Sequence, residues 1–231
     1  MNLAINRIFQ TVRWEFILLK RYQIIGMSFF IAAFYAILFY ALKIYYDDLI
    51  ILFVISDPVM MGFMFTGVMV LYDKNQDTLT AVLASPQTPG VKLLSRGISL
   101  TLLALVCSFA IALAGKGLDF HYGFFALAVV LSSFLFYYIG IISLIGVHSY
   151  NGFLMRSVVY LFPFFIPLME LGNLYSHPIF YLIPTKGVLI LFRASFEPAG
   201  TLKIIYSIVY LAVCIAATAR YAAKKYNERK I

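Results

Sequence analysis

The sequence predicts an all-α, polytopic membrane protein with six transmembrane helices, an N-terminal interfacial helix and a re-entrant outer stretch before the last span. Three observations lead there. Of 231 residues, 63% are hydrophobic and only 12% charged, with a mean hydropathy of +0.92; a soluble domain carries about 25% charged residues. The apolar residues fall in runs of about 20, the length a helix needs to cross a hydrocarbon core of about 30 Å. The basic residues flank those runs. Six packed helices use nearly all of the chain, so residues 1–231 read as a single transmembrane domain.

Residues 1–22 form the first element. Ile5, Ile8, Phe9, Val12, Phe16 and Leu19 recur at spacings of three and four, and Asn6, Arg7, Gln10 and Arg13 take the opposite face. That is an amphipathic helix suited to the membrane interface. Arg7, Arg13 and Glu15 leave no clean apolar stretch there, so no cleavable signal peptide is expected. The six spans are then expected at about 24–44, 49–72, 91–114, 124–147, 153–171 and 204–221. Asp57-Pro58 interrupts the second. Asp is a favoured N-cap and Pro a favoured first helical residue, so a helix is expected to restart at that point.

Between the fourth span and the last lie two harder segments. The fifth span carries Arg156 at its start, Pro163 and Pro167 inside and Glu170 near its end. Residues 172–202 are apolar enough to suggest a seventh span, but Pro184 cuts them, and Lys186 and Arg193 lie inside. A seventh crossing would also carry the basic C-terminus to the outside, against the positive-inside rule. Two short helices that enter the outer leaflet and return are expected instead, a form tolerated where protein covers the backbone.

Orientation follows from Lys and Arg. With the N-terminus inside, thirteen of the eighteen fall on the inner side, and Lys43, Lys116, Lys186, Arg193 and Lys203 fall outside. Both termini are therefore expected on the cytoplasmic side. The formal net charge of +8 reads as topology and contact with anionic membrane lipids, with no nucleic-acid partner.

No P-loop, His-Glu-x-x-His, Cys-x-x-Cys or Gly-x-Ser-x-Gly pattern occurs. Cys107 and Cys214 sit in apolar runs as small hydrophobes, and His121, His148 and His177 belong to different loops. No catalytic residue, metal site or bound cofactor is expected. Two acids need separate readings, because intramembrane acids are functional hypotheses. Asp57 reads first as the N-cap, with a cavity or ion site as the alternative; Glu170 reads equally as an outer-interface residue meeting water or as a cavity-lining one. The aromatic run from Phe134 to Tyr138 reads as packing rather than a ligand cavity, and Ala212-x-x-x-Ala216 permits close helix approach.

The inner loop at 73–90 is the most informative segment. A polar lead-in precedes a short helix over Thr78–Ala84, capped by Asp77, with Leu79, Val82 and Leu83 on its apolar side; Ser85-Pro86 begins its break. Such a helix is a docking element for a partner.

Asp77-Thr78-Leu79 followed by Leu83-Ala84-Ser85-Pro86 resembles the inner-loop motif of ABC-2-type ABC transporter permeases, whose usual pattern is Gly-Thr-Leu-Glu, Leu-Leu, then Ser-Pro or Thr-Pro. Here Asp77 stands for the Gly and Thr80 for the Glu. The outer stretch, with Pro178 to Thr185 and Phe192 to Pro198, and Asp57 followed by Gly62 and Gly67, is similar to the fluoroquinolone-export branch of those permeases. The resemblance implies a permease subunit of the bacterial plasma membrane. It would pair with a second permease copy, identical or not, and with two ABC ATPase subunits that bind ATP and Mg. Those subunits would dock on the loop (Asp77, Thr78, Leu79, Val82, Leu83, Ala84, Ser85, Pro86) and on the interfacial helix (Arg7, Phe9, Arg13). The cargo implied is a hydrophobic or amphipathic small molecule, drug-like or lipid-like, moved outward. The rival reading is an ion- or proton-coupled secondary transporter or channel using Asp57 or Glu170, though no inverted repeat is visible.

Overall fold

The computed structural model describes residues 2–43, 46–75 and 89–227, and the regular elements among them are all helical. Helix α1 (Asn2–Arg21) leads through a turn at Gln23, φ 58°, into α2 (Ile24–Leu42). The chain continues as α3 (Asp47–Val54), a π-helical turn (Ile55–Val59) and α4 (Met60–Asn75). Then come α5 (Pro89–Lys116), α6 (Tyr122–Ser143), α7 (Tyr150–Phe165), α8 (Pro184–Phe196) and α9 (Thr201–Asn227).

Among the described residues, six helices are long and apolar enough to cross a membrane: Ile24–Leu42, Asp47–Tyr72, Gly90–Lys116, Tyr122–Ser143, Tyr150–Gly172 and Thr201–Tyr226. They fall on the six expected runs, with shifts at the ends. The fourth stops earlier than its hydropathy suggests. Leu144 to Gly146 form a hydrogen-bonded turn, with Gly146 at φ +69°, and the apolar run simply continues through it.

The second span corrects the reading of Asp57 as an N-cap. Val54, Ile55 and Met60 all keep right-handed helical backbone, so no helix starts at Asp57. Pro58 lacks an N–H and its ring crowds the carbonyl one turn back. The helix accommodates it by widening into one π turn instead of breaking, and π turns of this kind recur at functional sites.

Proline acts differently in the fifth span. Beyond Pro163, and with Pro167 following, α7 tightens into a 3-10 stretch (Ile166–Asn173). Leu171 is extended and Gly172, at φ +73°, turns the chain away from the helix axis. The stretch after it holds the two short helices that the sequence leads one to expect: a 3-10 turn (Pro178–Leu182) and α8, each begun by its proline. At 13 residues, α8 is about 20 Å long, too short to cross.

Helix α6 is the centre of the bundle, packed against α4, α5, α8 and α9. Phe125, Phe136 and Tyr137 from α6 are fully buried with Phe63 from α4 and Phe192 from α8. The run Phe134 to Tyr138 therefore packs into the core. Glycines bring α4 and α6 together: a Cβ on Gly140 would lie 2.9 Å from the Phe63 carbonyl oxygen, and one on Gly62 would lie 3.5 Å from that of Ser133. Gly140→Val is expected to lower stability by about 1–3 kcal/mol through overpacking, because backbone cannot yield as a side chain can. The check is thermal unfolding of purified protein, with Gly123→Ala, which meets nothing within 4 Å, as the unaffected comparison.

The outer helices are the reverse of a soluble surface. Phe30 and Ile37 on α2, Met155 and Val159 on α7, and Val209 on α9 are all exposed. Ala212 and Ala216 also face outward, so their spacing serves no packing within this chain.

Candidate functional site

Among the described residues, charged side chains group at the two ends of the bundle and one acid lies between them. At the end carrying α1, Glu15 accepts a hydrogen bond from Arg96 Nε at 3.0 Å; their side chains are 2% and 5% exposed. Ser99 Oγ donates to the Val12 carbonyl at 3.4 Å, and the Tyr137 hydroxyl donates to the Leu93 carbonyl at 2.7 Å. Tyr22 meets Tyr72 with ring centroids 4.7 Å apart. Helix α1 is thus fastened to α5, and its junction with α2 touches the end of the second span.

This fixes which side of α1 faces the bundle. Thr11, Glu15 and Leu19 are buried, whereas Phe9, Trp14 and Ile17 are exposed together with Arg13. The side packed on the bundle runs through Thr11, Glu15 and Leu19, and Phe9 faces away from it. A buried ion pair, not apolar area alone, orients the helix. Arg7 lies within α1. The expected partner contacts Asp77, Thr78, Leu79, Val82, Leu83, Ala84, Ser85 and Pro86 lie outside the described residues. The segments flanking them, up to Asn75 and from Pro89, end on the same side as α1.

At the opposite end, three ion pairs among the described residues join four segments. Lys116 Nζ, closing α5, lies 2.7 Å from Asp47 Oδ1 at the start of α3. Arg193 of α8 reaches Asp48 Oδ1 at 3.2 Å and the Glu170 carbonyl at 3.0 Å. Lys186 of α8 is ion-paired with Glu170, which also accepts from Ser176 Oγ at 3.1 Å. The Gly172 amide donates to Asp48 Oδ2 at 3.0 Å. Glu170 is 4% exposed, so its reading as an interface residue meeting water is corrected: it is the buried anchor for α8. The 3-10 turn is held from the other side, where the Tyr206 hydroxyl of α9 donates to the Tyr181 carbonyl at 2.7 Å.

Between these ends sits Asp57, half-buried in the π turn. Tyr35 of α2 lies close enough to Asp57 for the two to interact electrostatically. Phe53 packs beside Tyr35, with ring centroids 4.8 Å apart. A separate open groove of about 870 Å³ runs past Phe16, Ile25, Phe29, Leu102, Val106 and Phe109; its lining is apolar throughout, so it offers a ligand contact area but no directional recognition. His121, His148 and His177 are exposed and apart, Cys107 and Cys214 are free thiols, and no group of three metal-ligating side chains occurs among the described residues.

Glu15 and Arg96 are the residues the sequence did not single out. They stand 81 positions apart, and the available signal was an acid on an amphipathic helix and an arginine one turn inside a span instead of before it.

Apolar helices around a packed centre, with fixed charges paired at either end, define a polytopic α-helical membrane protein. The chain belongs to the fluoroquinolones export permease protein family, whose model matches residues 6–231. It is a transport permease. Two similar proteins are named fluoroquinolones export permease protein, from Mycobacterium tuberculosis strains H37Rv and CDC 1551. Each is 27% identical over 171 residues, covering 73% of this chain and 72% of the relative.

Proposed function

We propose that this permease is the membrane subunit of an ATP-driven exporter. It would move a hydrophobic or amphipathic small molecule out of the cell, with ATP hydrolysed on separate ATPase chains and the cargo path lying between two permease copies. The observation that carries the reading is the buried Glu15–Arg96 pair. It joins the N-terminal helix to the helix that leaves the 73–90 loop, so two elements suited to receive a partner's motion behave as one lever. Exposed apolar side chains on α2 and α7 offer surface for a second copy or for lipid. The fluoroquinolone in the relatives' name suggests an aromatic, amphipathic cargo.

The deciding experiment is co-purification with the cognate ATPase. Leu83→Asp is expected to leave the permease in the membrane and abolish that association; undiminished ATPase recovery would remove the loop as the docking element. Asp57 keeps a second reading in play, that of proton or ion coupling. Transport that persists under ATP after the ion gradients are collapsed excludes it.

The same proposal places both termini in the cytoplasm. Leu174→Cys, exposed beyond the fifth span, is expected to react with an impermeant thiol reagent in intact cells. Gln10→Cys on α1 is expected to react only after lysis. Labelling of both in intact cells would overturn this orientation.

A further inference from the structure

We propose that Asp57, Tyr35 and the rings beside them form a binding site for the protonated amine of an amphipathic aromatic molecule. The inference rests on the exporter reading, for which it names the chemical class of cargo.

Depth is the first argument. Asp57 lies ten residues into a span of 26, about 15 Å from its outer end and near the middle of a core of about 30 Å. A carboxylate there is costly unless a cation faces it. Glu15, Asp47, Asp48 and Glu170 each have such a cation. Asp57 has none among the described residues; Tyr35, whose ring packs on Phe53 one helical turn before Asp57, carries no charge to offset it. Nor does the backbone need the acid, since Pro58 and the π turn set the local geometry and Asp57 caps nothing.

Access and lining are the second. Asp57, Ser56, Tyr35 and Phe53 are all half-buried, and Phe34 is exposed, so the carboxylate can be reached from the side of the bundle. Phe34 and Phe53 both neighbour Tyr35, with ring centroids 5.7 and 4.8 Å from it. An ammonium has three donors and a charge. The carboxylate and the phenol oxygen accept from it, and the ring faces attract it and stack on an aromatic body. One carboxylate and one phenol are too few oxygens for a hard metal cation, which takes six or more.

The test measures binding to the full-length permease in lipid nanodiscs. The probes are dansylcadaverine, an aromatic primary amine, and its uncharged N-acetyl derivative. Wild type is expected to hold the amine about tenfold more tightly than the acetyl compound. Asp57→Asn should erase the preference, and Tyr35→Phe should reduce it about threefold. Equal binding of the two probes by wild type overturns the site, as does an undiminished preference in Asp57→Asn. Should Asp57→Asn fail to fold, the wild-type comparison and Tyr35→Phe still decide. If the amine preference is absent while the ATPase still co-purifies, the site fails and the exporter reading stands. If the preference is present but no ATPase associates, the exporter reading fails and the site stands.

Discussion

Arg96→Ala is expected to destabilise the folded permease by about 3–5 kcal/mol, the cost of leaving a buried charge without its partner. Glu15 would then be a carboxylate 1% exposed, facing the gap on α5. Glu15→Ala is expected to fall in the same range for the converse reason. Replacing both at once, Glu15→Leu with Arg96→Met, should recover most of the loss, because apolar residues of similar volume substitute well for buried pairs. Thermal unfolding of the four proteins in detergent closes the cycle; independent, additive losses would show that the two side chains do not act together. A functional readout separates fastening from stability. The double variant is expected to fold yet transport poorly, because α1 would no longer be tied to α5 by charge.

Glu170→Ala is the second large effect, expected at about 3 kcal/mol. It strands the Lys186 ammonium, 9% exposed on α8, and leaves Ser176 without its acceptor. The loss should concentrate at the α8 end of the bundle. Proteolysis or hydrogen exchange is expected to open residues 178–196 well before the central helices. Uniform loosening of the whole bundle would show that Glu170 supports the core at large and does not specifically anchor α8. Glu170→Leu with Lys186→Met is the compensating pair.

Most of the fold was legible in the sequence because span length and hydropathy are local properties. The break at Pro184 was legible too, since a proline and two cations inside one apolar stretch conflict with a crossing. The errors arose where a residue's partner is distant in sequence. Asp57-Pro58 carries the same local signal whether a helix restarts or widens; the packing of α3 and α4 as one span decides it. Glu170 was ambiguous because Lys186 lies across a reversal of the chain at Gly172. Which side of α1 packs on the bundle was not legible, because apolar periodicity has no means of weighing a glutamate that meets Arg96. The 73–90 loop remains a motif-based expectation.

The central place of α6 also bears on how the chain is made. Helix α6 is the fourth span to emerge, yet α4, α5, α8 and α9 all rest on it. Of the first three spans, α2 finds its main neighbour, α5, before α6 appears, but the second span does not find its own. A chain released after residue 120 would thus hold the face of α4 around Phe63 open to lipid. Entry of the fourth helix is therefore expected to commit the chain to its fold, and chains terminated before it are expected to be cleared quickly by membrane quality-control proteases.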